Sequence, residues 1–66
     1  MKITVNGEAQ ELTEPVTIAA LVESLDLAGR RIAVEVNEEL VPRSTFADRT
    51  LEDGDQVEIV HAIGGG

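Results

Sequence analysis

At 66 residues the chain is one domain at most, with no room for a substrate pocket beside a core, which argues against a self-contained enzyme. Apolar residues make up 42 % of it, a globular composition, and the absence of cysteine removes disulfide frameworks and thiolate metal sites. Thirteen acidic residues against five basic ones give a net charge of -8, which speaks against phosphate backbones and anionic membranes and favours a basic protein face as partner.

The same acidity also keeps a small domain dissolved. No run approaches ~18 apolar residues, so no membrane-crossing helix is expected. Residues 1–15 hold no apolar segment of signal-peptide length, and a cytoplasmic location is expected.

"KITVNGEAQEL" opens with alternation, Ile3 and Val5 on one face and Lys2 and Thr4 on the other. Asn6-Gly7 supplies the left-handed backbone angles of a tight type I′ hairpin, and residues 8–13 return as a weaker strand ended by Pro15. In "TIAALVESLDLAG" the period changes. Ile18, Leu21, Val22 and Leu25 form one helical stripe, Thr17 is placed as N-cap, and Gly29 is the expected stop after about three turns.

"RRIAVEVNEEL" returns to period two, with Ile32, Val34 and Val36 sharing a face. Asn37-Glu38 is read as a turn into a short strand around Leu40 and Val41, closed by Pro42. Residues 43–50 show no clean period; Phe46 and Leu51 are expected to anchor them to the core. "EDGD" reads as a turn and "QVEIVHAI" as the last strand, Val57 and Ile59 inward and Glu58 outward. A hairpin, a helix and then further strands predict an α+β domain spanning 1–66. The economical arrangement is the β-grasp, or ubiquitin-like, fold: a mixed sheet of four or five strands packed on one main helix.

Few groups carry chemistry. His61 stands alone near a strand end, Ser24 falls on the helix and Ser44 in a loop, so no nucleophile has a base beside it. Glu52, Asp53 and Asp55 lack the regular ligand spacing and distant bidentate glutamate of a calcium loop and read as a glycine-centred turn. The glycines of "HAIGGG" precede no helix, so they form no phosphate cradle. They suit a different role. Gly64, Gly65 and Gly66 reach at most about 10 Å when extended. A thread without side chains fits a narrow channel in a neighbouring active site. Val60, on the outward face of the last strand, forms with Ala62 and Ile63 a candidate partner surface beside that tail. A terminal carboxylate is a poor electrophile and needs activation, and the chain has no nucleotide-binding motif with which to activate its own.

"ITVNG", "AVEVNEELVPRSTF" and "LEDGDQVEIVHAIGGG" together resemble the ThiS family of sulfur carriers in thiamine thiazole synthesis, over essentially the whole chain. The family often has glycine after the asparagine matching Asn37, where this chain has Glu38, a change to a turn. The resemblance implies that a ThiF-like, E1-like adenylyltransferase uses ATP and Mg²⁺ to adenylate the Gly66 carboxyl group. A sulfur relay from a cysteine desulfurase then converts it to a thiocarboxylate, and thiazole synthase (ThiG) accepts the sulfur. By position, Gly66 carries the sulfur and Gly64 and Gly65 form the thread, while the chain itself binds no cofactor. The alternatives are a molybdopterin-type sulfur carrier, a ubiquitin-like protein modifier, and a binding module in which the tail plays no part.

Overall fold

The computed structural model describes residues 1–61. Its elements are β1 (Lys2–Val5), β2 (Glu8–Glu11), α1 (Ile18–Ser24), β3 (Ile32–Val36), β4 (Glu39–Val41), a 3₁₀ turn (Arg43–Thr45) and β5 (Gln56–His61). The five strands form one mixed sheet in the order β2-β1-β5-β3-β4. β5 lies parallel to β1 and antiparallel to β3, and each flanking pair is a hairpin. One helix on a five-stranded mixed sheet is the expected β-grasp arrangement.

Both hairpins turn on asparagine. Asn6 and Gly7 have φ of 50° and 85°, and Asn37 and Glu38 have 53° and 70°, the paired positive angles of type I′ turns. Glycine takes these angles without a Cβ penalty and asparagine tolerates them, whereas a glutamate at Glu38 is strained. A further main-chain pair, Leu12 N–H to the Met1 carbonyl at 2.7 Å and the Met1 ammonium to the Leu12 carbonyl at 2.8 Å, extends the first hairpin past Glu11.

Helix α1 begins as expected. Thr17 is extended (φ -85°, ψ 164°) and its Oγ1 accepts the Ala20 N–H at 3.1 Å. It ends earlier than the stripe predicts, after seven residues and two turns, not about three turns up to Gly29. The reason is local. Asp26 adopts a left-handed φ of 61°, Asp26 N–H bonds the Glu23 carbonyl at 3.0 Å, and Leu27 N–H bonds the Val22 carbonyl at 3.0 Å. That bond pair is a Schellman closure with aspartate where glycine is usual. Ser24 Oγ donates to the Leu21 carbonyl at 2.7 Å, occupying another late helix acceptor. Gly29 (φ 80°) lies in the following turn, where Arg30 N–H bonds the Leu27 carbonyl at 3.1 Å.

The alternating strand positions and the helical stripe meet in one core. Ile3 and Val5 from β1, Ile32, Val34 and Val36 from β3, Val41, Val57 and Ile59 are buried with Ile18, Leu21 and Val22 of the helix. Phe46 and Leu51 complete it, as expected of the two anchors in the aperiodic connection. Burying each such side chain contributes roughly 1.5–3 kcal/mol.

That connection also closes the start of the helix. Arg49 and Phe46 carbonyls accept the Ile18 and Ala19 N–H groups at 2.9 and 3.1 Å, and Leu51 N–H bonds the Val16 carbonyl at 2.8 Å. The first-turn donors that a helix leaves open are therefore taken up by residues from a distant part of the chain. Arg43 lies over the Phe46 ring, 5.8 Å from its centroid, and donates to the Arg30 carbonyl.

Candidate functional site at the exit of the last strand

β5 is the strand that carries the chain out of the domain, and three sets of bonds hold it. Its antiparallel pairing with β3 runs from Val36↔Val57 to Ile32↔His61. On the other side β1 pairs only Thr4 with Gln56 and Val5 with Val57. The third set comes from asparagine side chains.

Asn6 N–H donates to the Val57 carbonyl at 2.8 Å, and Asn6 Oδ1 accepts the Ile59 N–H at 2.7 Å. Asn37 works in the same way from the opposite hairpin. Its N–H bonds the Gln56 carbonyl at 2.8 Å and its Oδ1 accepts the Gln56 N–H at 3.0 Å. Where each hairpin turns away from β5, an amide side chain continues the ladder that the main chain has left.

Asn37 Nδ2 donates at 3.0 Å to Asp55 Oδ1, and Asp55 Oδ2 accepts the Glu52 N–H at 2.8 Å. Asp55 is the buried charged residue among those described, 8 % exposed, and its burial is matched by these bonds. Asp53 Oδ1 accepts the Lys2 N–H at 2.7 Å, and Gly54 N–H returns a bond to the Lys2 carbonyl at 2.7 Å. The carboxylates of the "EDGD" segment therefore pin a turn (Gly54 φ 89°) between β1 and β5. Neither the asparagine roles nor the Asp55 network follows from residue spacing; the recurrence of Asn at both I′ turns is the signal that precedes them.

Of the candidate partner residues, Val60 is 56 % exposed on the sheet face away from the helix. Ala62 and Ile63, and the tail residues Gly64, Gly65 and Gly66, lie outside the described residues. Around Val60 the register assembles a face that periodicity alone does not reveal. Val60 is opposite Ala33, and Glu58 is opposite Glu35, itself opposite Leu40, which is 68 % exposed. Ala33, Glu35, Glu38, Glu58 and Val60 line a shallow groove of about 350 Å³. Two carboxylates directly opposed across strands repel each other, a cost the fold carries on its outer surface.

The other chemically capable groups stay apart. Ser24 is bound to the helix backbone, Ser44 is exposed in the 3₁₀ turn, and His61 is exposed at the end of β5. No helix among the described residues is long and apolar enough to cross a membrane.

Comparison with known proteins places this geometry in a lineage. The model of the ThiS family matches residues 3–66. The sulfur carrier protein ThiS of Escherichia coli (strain K12) is 33 % identical over the full length of both chains. A thiazole synthase of Paramagnetospirillum magneticum is 44 % identical over all 66 residues, and this chain spans 20 % of that protein's length. The crystal structure of the thiamine biosynthesis protein ThiS from Geobacter metallireducens superposes with a TM-score of 0.86 at 35 % identity, covering both chains entirely. With matches end to end in both sequence and fold, the chain belongs to the ThiS family.

Proposed function

We propose that the protein is the sulfur carrier of thiamine thiazole synthesis, a protein co-substrate and not an enzyme, with Gly66 as its working residue. The observation that carries this reading is the full-length relationship to the sulfur carrier protein ThiS in a chain whose last three residues are glycine.

The chemistry follows from the weakness of a carboxylate as an electrophile. A ThiF-like adenylyltransferase supplies ATP, with Mg²⁺ neutralising its phosphates. A Gly66 carboxylate oxygen attacks the α-phosphorus and pyrophosphate leaves. A persulfide on a cysteine desulfurase relay attacks the carbonyl carbon of the acyl adenylate, and AMP leaves with the original oxygen. A second thiol then attacks the relay's own sulfur in the resulting acyl disulfide, forming a disulfide and releasing the sulfur on Gly66. One oxygen has been exchanged for sulfur, and the chain ends in a thiocarboxylate. Because the sulfur rides on a carbonyl carbon, the carrier needs no thiol of its own, in keeping with a chain that lacks cysteine. Transfer of the sulfur to the acceptor bound by thiazole synthase, with an oxygen from that acceptor or from water taking its place on the Gly66 carbonyl carbon, restores the carboxylate. The relationship to proteins named thiazole synthase favours that recipient over a molybdopterin precursor. A cytoplasmic setting goes with this reading.

Gly64 and Gly65 form the thread that enters each active site. Ordering a glycine costs on the order of 1–2 kcal/mol, so the partner's contacts must exceed that cost. Val60, with Ala62 and Ile63, supplies apolar contact beside the exit, and the acidic rim of Glu35, Glu38 and Glu58 suits a basic partner face. Intact-mass measurement after incubation with an E1-like adenylyltransferase, Mg-ATP and a sulfur donor tests the proposal. The expected gain is one oxygen-to-sulfur exchange on Gly66, and an unchanged mass refutes the carrier role.

A further inference from the structure

β5 lies in the interior of the sheet, yet half of one of its edges is open. The Asn37 N–H bond to the Gln56 carbonyl sets the phase of the β3–β5 ladder, so Gln56, Glu58 and Val60 turn their main-chain groups towards β3. Val57, Ile59 and His61 therefore turn theirs the other way, towards β1. The Asp55 and Val57 carbonyls accept the Thr4 and Asn6 N–H groups at 3.0 and 2.8 Å, as that phase requires. The Ile59 N–H then finds Asn6 Oδ1. Beyond this point β1 has turned back at Asn6-Gly7, and its pairing with β5 has already ended at Val57. The next two groups on that edge, the Ile59 carbonyl and the His61 N–H, have no strand beside them among the described residues.

The position of this edge gives it meaning. It is the last stretch of β5 and runs directly into Ala62-Ile63-Gly64-Gly65-Gly66. Three of those five residues have no side chain, so a protein that takes up this end must recognise it chiefly through main-chain N–H and C=O groups. Backbone-to-backbone pairing along an open strand edge does this, and side-chain pockets beside the ladder add selectivity. We infer that the open β1-side edge of β5, from the Ile59 carbonyl to the His61 N–H, is a strand-addition site that pairs with an extended segment of thiazole synthase. The inference rests on the carrier reading above. Thiazole synthase is the chosen occupant because a sequence matching this whole domain occurs within single chains of that name. A sheet formed between the two proteins there would be continuous with the sheet of the carrier and would set the direction in which the glycines enter.

The phase of the ladder supplies a sharp test. His61→Pro deletes the open N–H of that edge without removing any bond to β3, because Ile32↔His61 is a non-hydrogen-bonded pair. Proline also holds Val60 in the extended conformation that it already has. His61→Ala removes the imidazole and keeps the N–H. Affinity for thiazole synthase, measured by calorimetry, is expected to fall on the order of ten-fold for His61→Pro. It should stay within about two-fold for His61→Ala. A synthetic chain with an ester in place of the Val60–His61 amide removes the same donor without proline's ring and should match His61→Pro, which covers a proline variant that fails to fold. If the proline and ester chains bind as tightly as His61→Ala, or the unaltered chain does not bind thiazole synthase, the strand-addition site is overturned. A chain that binds through this edge but never gains sulfur overturns the carrier role alone.

Discussion

Replacing Asn37 with glycine and, separately, with alanine divides the contribution of one residue into two measurable parts. Asn37 sits at a φ of 53°, its Oδ1 accepts the Gln56 N–H at 3.0 Å, and its Nδ2 donates to Asp55 at 3.0 Å. Glycine keeps the backbone angle and loses both side-chain bonds. Each is worth about 0.5–1.5 kcal/mol, with the bond to the buried carboxylate at the upper end or beyond. Asn37→Gly should therefore cost about 1–3 kcal/mol. Alanine loses the same bonds and also holds a Cβ in the left-handed region, about 1–2 kcal/mol more. A domain of this length is stabilised by only roughly 3–10 kcal/mol. The alanine variant is thus expected to sit near the edge of folding, and the glycine variant between it and the parent. Urea denaturation at constant m-value gives both differences from the shift in midpoint. Equal midpoints for the parent and Asn37→Gly would show that the side-chain ladder contributes nothing. Equal midpoints for the glycine and alanine variants would remove the backbone part of the account.

The second turn position gives the opposite sign: Glu38→Gly relieves a φ of 70° and should raise stability by about 0.5–1 kcal/mol after glycine's unfolded-state entropy is counted, seen as a higher urea midpoint; a lower midpoint refutes the strain. Leu51→Ala empties a core position 1 % exposed and should cost about 2–4 kcal/mol. Its melting temperature should drop by roughly 8 °C or more, and a drop of only a degree or two would mean the site collapses around the loss. Deleting Gly65 and Gly66 should abolish sulfur loading in the intact-mass assay and leave the melting temperature unchanged; continued thiazole formation by the shortened chain would strip the tail of its role. Association with the adenylyltransferase should slow as salt rises, given a net charge of -8, and a flat response would leave the acidity as a solubility feature.

Local chemistry makes much of the fold legible. Asn6-Gly7 occupies the turn its residue types suit, Asn37 does the same in the second hairpin although Glu38 beside it is strained, Ile32, Val34 and Val36 bury one face, and Thr17 caps the helix it is placed to start. Each of these is decided within a few residues, by the angles a side chain permits or by a period of two or 3.6. The helix end shows where such reasoning stops. Leu25 and Leu27 continue the apolar pattern into the core's margin, but Asp26 closes the helix between them. Aspartate is tolerated in that conformation without announcing it, whereas glycine announces it at Gly29, one turn too late.

The candidate site divides along the same line. That Val60 faces outward is decided by strand parity alone, because it does not depend on which strands are neighbours, and the expectation that glycines 64–66 serve as a thread rests on residue type alone. The placing of β5 between β1 and β3, the opposition of Glu35 to Glu58, and the open edge past Asn6 are tertiary decisions. So is the use of residues 43–51 to close the helix start. They depend on the order and register in which distant segments meet, and that choice comes from burying one continuous apolar face while pairing the main-chain groups around it. No window of sequence contains both halves of such a pair.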